Sequence, residues 1–98
     1  MQLTEKQRRV LKGLAHPLKP IILMGNAGLT PAVVAETTRA LADHELIKVR
    51  LPGFDRAARD LALTQLAEQT SSALVTRIGH IAVLYRPNPK LPRIVLPG

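Results

Sequence analysis

The residues best suited to chemistry in this 98-residue chain are the run Gly25-Asn26-Ala27-Gly28 and the cations that precede it, Arg8, Arg9, Lys12 and Lys19. Two glycines in so short a run let the backbone turn tightly and let a ligand approach its amides. A helix start follows at once, because Thr30 suits an N-cap and Pro31 the first helical position. Such a start presents unpaired N–H groups and the positive end of the helix dipole, so turn and helix together can cradle a phosphate. The run is neither a Walker A loop, since the closing Lys-Ser/Thr is absent, nor a Gly-x-Gly-x-x-Gly dinucleotide fingerprint. A strand-to-helix turn with no ligand would carry the same two glycines.

The remaining candidates are fewer. His16, His44 and His80 are the only histidines, and no spacing groups them with one another or with carboxylates as a metal site. His16 precedes a proline and is a candidate contact for a ligand; His44 closes a helix, and His80 falls in a turn expected to be solvated. Lys48 and Arg50 share one face of an alternating strand and offer a second phosphate-contacting surface. Arg86 opens a basic terminal segment.

Fourteen Lys+Arg against seven Asp+Glu give a net charge of +7. The excess sits at the ends: residues 1–30 carry +4, residues 31–76 carry −1, and residues 77–98 carry +4. Two basic blocks make a patch if the fold brings them together, and the expected partner is a polyanion. With no cysteine there is no disulfide, thiolate metal site or cysteine nucleophile. Phe54 and Tyr85 are the only aromatics, too few for the base-stacking platform of an RNA-recognition motif or an OB-fold. The uncharged stretch from Pro20 to Ala35 is broken by Gly25, Gly28 and Pro31, so it does not read as a membrane span. A soluble, cytoplasmic single domain is expected, monomeric, with no membrane or small-molecule partner, no metal and no cofactor.

The elements that must position these residues follow from local signals. Thr4 and Gln7 form a capping-box pattern before a first helix, with Val10, Leu11 and Leu14 as its apolar stripe. Pro20-Ile21-Ile22-Leu23-Met24 reads as a strand buried on both faces. The second helix should run from Pro31 to about Asp43, with Leu29 and Val34 as a hydrophobic staple. In Leu46–Leu51, Ile47, Val49 and Leu51 point inward and Lys48 and Arg50 outward. Asp55 caps a third helix with Ala58, Leu61, Ala62 and Leu66 as its stripe. Strands Leu74–Ile78 and Ile81–Tyr85 are joined by Gly79-His80 in a type II′ hairpin. The order α-β-α-β-α-β-β gives an α/β fold (α+β, two-layer), a four-stranded mixed sheet packed with helices. Residues 1–86 form the domain, and 87–98 form a Pro-rich basic tail, extended along the surface or mobile.

Lys12-Gly13-Leu14-Ala15-His16-Pro17-Leu18-Lys19-Pro20 with Gly25-Asn26-Ala27-Gly28-Leu29-Thr30 resembles the signature of the CRM domain (chloroplast RNA splicing and ribosome maturation). His44-Glu45-Leu46-Ile47-Lys48-Val49 and Leu84-Tyr85-Arg86-Pro87 match its later segments, and the chain is similar to the stand-alone bacterial YhbY type. The resemblance implies an RNA-binding fold similar to the C-terminal domain of a bacterial translation initiation factor. Its Gly-x-x-Gly loop is likened to the backbone clamp of KH domains. The bacterial members are associated with large-subunit ribosomal precursors, so ribosomal RNA or a precursor particle is the implied partner. Gly25 to Gly28 would be the clamp, flanked by Lys12 and Lys19. The chain departs from many relatives in carrying Asn26 where they have lysine or serine, and Ser71-Ser72 where they often have glycine. The alternatives are a winged-helix DNA-binding protein, whose adjacent helices the Leu46–Leu51 strand would interrupt, and a small ribonuclease using His16 or His80.

Overall fold

The computed structural model describes residues 2–53 and 55–98, so Phe54 lies outside the described residues. Helix α1 (Glu5–Ala15) begins at the expected capping box: Thr4 Oγ1 accepts from the Gln7 N–H at 3.0 Å, and Gln7 Oε1 accepts from the Thr4 N–H at 3.1 Å. Its buried residues are Leu11 and Ala15, whereas Val10 and Leu14 are exposed. Leu11 belongs to both the expected and the observed stripe, so the buried face is rotated by less than the roughly 100° between neighbouring residues.

Helix α2 (Pro31–His44) starts as expected, with Thr30 Oγ1 accepting from the Val33 N–H at 3.2 Å. Helix α3 (Arg56–Gln69) is capped by Asp55, whose carboxylate accepts from the Ala58 N–H at 2.8 Å. Its buried residues are Ala62, Leu63, Leu66 and Ala67; Ala58 and Leu61, expected inside, face solvent. Leu61 and Leu63 flank Ala62 in sequence, and the packing selects the second. After α3, Ser71 takes φ +54° while the Ser72 N–H reaches back to the Ala67 carbonyl at 2.9 Å. That left-handed closure of a helix favours glycine.

Strands β1 (Pro20–Leu23), β2 (Leu46–Arg50), β3 (Ala73–Ile78) and β4 (Ile81–Tyr85) form one sheet in the order β1-β2-β4-β3. β1 and β2 are parallel, and the other pairs are antiparallel. Gly79 has the positive φ that the first turn position of a type II′ hairpin requires. β1 is an edge strand rather than one buried on both faces: Ile22 is buried, but Ile21 is 48% and Leu23 66% exposed. Its opening proline fits an edge, where no ladder donor is required.

The expected mixed sheet with packed helices is present, but the helices cover both faces, so the layers are three rather than the expected two. Ile22, Ile47, Val49, Ala82 and Leu84 pack with Leu41 of α2 and Leu63 and Leu66 of α3. Leu46, Val75, Val83 and Tyr85 face the other way, against Leu11 and Ala15 of α1. α1 shares that face with the chain's C-terminus, since Ile94 and Leu96 pack on the same cluster.

The terminal segment forms no helix or strand and bends at residues 89–91, and it is fastened to the domain. Glu45, 1% exposed and at φ +63°, accepts from the backbone N–H groups of Asn88 at 2.5 Å, Arg93 at 2.8 Å and Ile94 at 2.9 Å. Gln7 Nε2 donates to the Pro97 carbonyl at 2.9 Å, and Arg93 Nη1 to the Asp43 carbonyl at 2.6 Å. Burial raises the Glu45 pKa, but the three N–H donors and the Arg93 charge outweigh it and bring the carboxyl below its ordinary 4.5.

Replacing Glu45 with Ala should cost about 2–4 kcal/mol in urea unfolding. Glu45→Gly, which the backbone angle alone would favour, should also destabilise. The folded pKa lies below the unfolded one, so the carboxylate's contribution is complete above the unfolded value and is lost as pH falls through the folded value. The gap between wild type and Glu45→Gln should therefore narrow below about pH 4.5. Ser71→Gly should raise stability by about 1 kcal/mol, read as a higher urea midpoint at unchanged m-value.

Candidate nucleic-acid interface

The sheet face under α1 is only half covered. Toward the β3–β4 hairpin, the outward residues of β2 (Lys48, Arg50) stand beside Ile81 and Val83 of β4 and Thr76 and Ile78 of β3. Ile78 is 76% exposed, and Leu23 pairs with Arg50 at the β1 edge. The expected alternation in β2 holds: Ile47, Val49 and Leu51 are buried among α2 and α3, and Lys48 and Arg50 lie on the opposite face.

The cations divide into engaged and free groups. Arg8, expected in a binding patch, is half-buried, and its Nη1 donates to the carbonyls of Leu74 at 2.6 Å and Val75 at 2.5 Å. It closes the irregularity between Leu74 and Thr76 in the edge strand β3. Lys48 Nζ donates to the carbonyls of His16 at 3.2 Å and Leu18 at 2.9 Å, so it covers the negative end of α1. Arg86 Nη1 donates to the Thr70 carbonyl at 3.0 Å. It follows the last residue of β4, whereas the glycine run adjoins Arg50, which pairs with the first; Arg86 is therefore at the opposite end of the sheet. Arg9, Lys12, Lys19 and Arg50 are exposed and make no side-chain hydrogen bond among the described residues.

Lys12, His16 and Lys48 line one hollow on the open face, and Lys19 and Lys48 line its neighbour. Arg9 and Lys12 line a shallow depression on α1 with Glu5 and Arg8. The structure thus places Lys12, His16, Lys19, Lys48 and Arg50 on one side of the sheet, but it engages Lys48, like Arg8 and Arg86, in structural hydrogen bonds. His80, expected to be solvated, is exposed but lies 3.3 Å from Arg59 Nη1 and from the Pro52 carbonyl.

The glycine run stands at the end of this face, where the Met24 N–H donates to the Arg50 carbonyl at 2.8 Å. Gly25, Asn26 and Ala27 are exposed, but Gly28 is buried, with φ +74°, and its N–H donates to the Gly25 carbonyl at 2.9 Å. Gly28 is therefore a turn residue, and its amide is not free to hold a phosphate. Thr30 is likewise committed to capping α2. Gly25 differs: its φ is not positive, and a Cβ there would meet nothing within 4 Å. The fold has no need of a glycine at that position.

Tyr85 cannot serve as a stacking surface, because it is 3% exposed; burial, and then the nearby Glu45 charge, raise its phenol pKa. No group of His, Asp and Glu residues converges as a metal site among the described residues. No described helix is long and apolar enough to cross a membrane. Sequence reasoning missed the aliphatic part of the face, Ile21, Leu23 and Ile78. The opening proline of a four-residue strand was the available sign that β1 lies at an edge.

These features are those of a small α/β domain with a cationic, partly open sheet face. The family model for the CRS1/YhbY (CRM) domain matches residues 3–86, and the chain belongs to that family. A Haemophilus influenzae protein named "RNA-binding protein" is 49% identical over 86 residues, spanning 88% of this chain and 87% of that one. A Pseudomonas aeruginosa protein named as a probable RNA-binding protein is 47% identical over 90 residues, spanning 92% and 86%. A Staphylococcus aureus protein, solved in solution and described as a suspected RNA-binding protein, superposes with a TM-score of 0.86 at 34% identity, spanning 98% of this chain and all of that one.

Arg8→Ala should lower stability by about 1–3 kcal/mol, because it removes two hydrogen bonds from a charged donor. Arg9→Ala, one residue along on the exposed side, should stay within about 0.5 kcal/mol of wild type. Urea unfolding of the pair checks whether the two arginines have separate duties.

Proposed function

We propose that this protein is a non-catalytic RNA-binding protein of the cytoplasm. Its proposed partner is large-subunit ribosomal RNA or its precursor particle, and its proposed role is in assembly of that subunit. One observation carries the RNA-binding part: exposed Lys12, Lys19 and Arg50 lie on the side of the sheet that α1 leaves open, and Arg50 adjoins a loop whose Gly25 the fold does not require. A missing Cβ leaves room for a sugar–phosphate backbone to approach the main chain of residues 25–27, and the cations neutralise flanking phosphates. The names of the relatives support RNA as the ligand class. The family resemblance supports the ribosomal assignment.

Recognition of this kind is salt-dependent. Neutralising about four phosphates gives a log–log slope near −3, so raising salt fourfold should weaken binding about 50-fold. Arg50→Glu and Lys12→Glu should each lower RNA affinity without changing the melting temperature. Gly25→Ala should melt at or slightly above wild type and yet bind RNA more weakly. Crosslinking in cells should place the wild type on large-subunit RNA and lose those sites in Lys12→Glu. A salt-insensitive affinity, or an unchanged crosslink map, would overturn the assignment.

A further inference from the structure

The open sheet face is grooved, and its hollows meet at one side chain. Lys48 borders a hollow of about 210 Å³ with Lys19, Ile21 and His44. It borders a second of about 370 Å³ with Lys12, Ala15, His16, Ile78 and Val83, and a third of about 230 Å³ with Thr76, Ile78, Ile81 and Val83. The floors are aliphatic, the rims cationic, and no carboxylate lines any of the three.

We propose that this groove accepts unpaired nucleotides of RNA, with bases against the aliphatic floor and phosphates against the exposed Lys12 and Lys19 at its rim. The proposal rests on the RNA-binding reading above and names its substrate class: a single-stranded or bulged segment in preference to continuous duplex. An A-form duplex keeps its base faces stacked inside and offers riboses and phosphates on a stiff surface. Such a surface meets the rim and leaves Ile21 and Ile78 in water. A splayed nucleotide presents both a flat apolar face and an anionic group, the two chemistries that alternate along the groove. The central ammonium also argues against an amphipathic protein helix as occupant, since an apolar stripe would bury Lys48 without a counter-charge. The absence of an exposed aromatic among the described residues makes base contact aliphatic and hence tolerant of sequence.

The test uses fluorescence anisotropy at one salt concentration with three RNAs: a blunt duplex, the same duplex with a three-nucleotide bulge, and an unstructured single strand. Wild type should bind the bulged and single-stranded RNAs about tenfold more tightly than the duplex, as the burial of roughly 60 Å² of apolar surface would give. Ile78→Ser and Ile21→Ser, both at exposed positions, should melt like wild type, lose that preference and keep the duplex affinity. Lys12→Ala should weaken all three. Equal wild-type affinities, or a preference that survives both serine variants, would overturn the groove assignment and leave RNA binding standing. Binding to none of the three would overturn RNA binding itself. Concentration-dependent dimerisation abolished by Ile78→Ser would give the face to a second copy of this chain and also overturn the proposal.

Discussion

The register of β2 between β1 and β4 is the constraint on which core and site both depend. Its alternating residues send Ile47 and Val49 under α2 and α3 and hold Lys48 and Arg50 on the face that α1 leaves open. A slip of one residue would exchange the two sets, placing charges in the core and aliphatics outside. The burial of Ile47 and Val49 therefore fixes where the cations point. Conversely, Lys48 strengthens the register by donating to the carbonyls at the end of α1, which ties that helix to the middle strand.

The chain's positive charge is divided between scaffold and surface. Arg8 supports the β3 edge, Arg86 the end of α3, Arg93 the end of α2, and Arg77 pairs with Asp60 at 2.7 Å. These guanidiniums satisfy backbone carbonyls or a carboxylate, work suited to a planar, permanently charged fork. The exposed cations beside the open face are Lys12, Lys19 and Arg50, two of them lysines, whose flexible stems suit a ligand that is read as a polyanion rather than at fixed atoms.

Much of this arrangement was legible in the sequence because it is written in local rules. Thr4, Thr30 and Asp55 cap the three helices where expected, and Gly79 makes the hairpin turn. What was not legible depends on tertiary partners. Leu61 and Leu63 flank one alanine, and only packing against the sheet chooses between them. Arg8 and Arg9 are adjacent and chemically alike, and only the irregular carbonyls of β3 separate a structural arginine from a free one. Glu45 breaks a local preference, since φ +63° favours glycine; its reason lies in three amides more than forty residues away. The terminal segment reads in sequence as extended along the surface or mobile, because nothing local marks that carboxylate as its anchor.

The open face itself follows from element counts. Four strands about 4.8 Å apart make a surface wider than the roughly 10 Å that one helix covers, while two helices at their usual separation of 8–10 Å cover it. α2 and α3 accordingly seal one side, and α1 alone cannot seal the other. The C-terminal segment fills part of the deficit with Ile94 and Leu96, but Glu45 fixes it at the end of the sheet away from the glycine run. Ile21, Leu23 and Ile78 remain exposed beside unneutralised cations, a mixture rarely left on a surface without a partner. An uneven division of three helices over one sheet thus supplies the apolar area, and the alternation of β2 supplies the charge set into it.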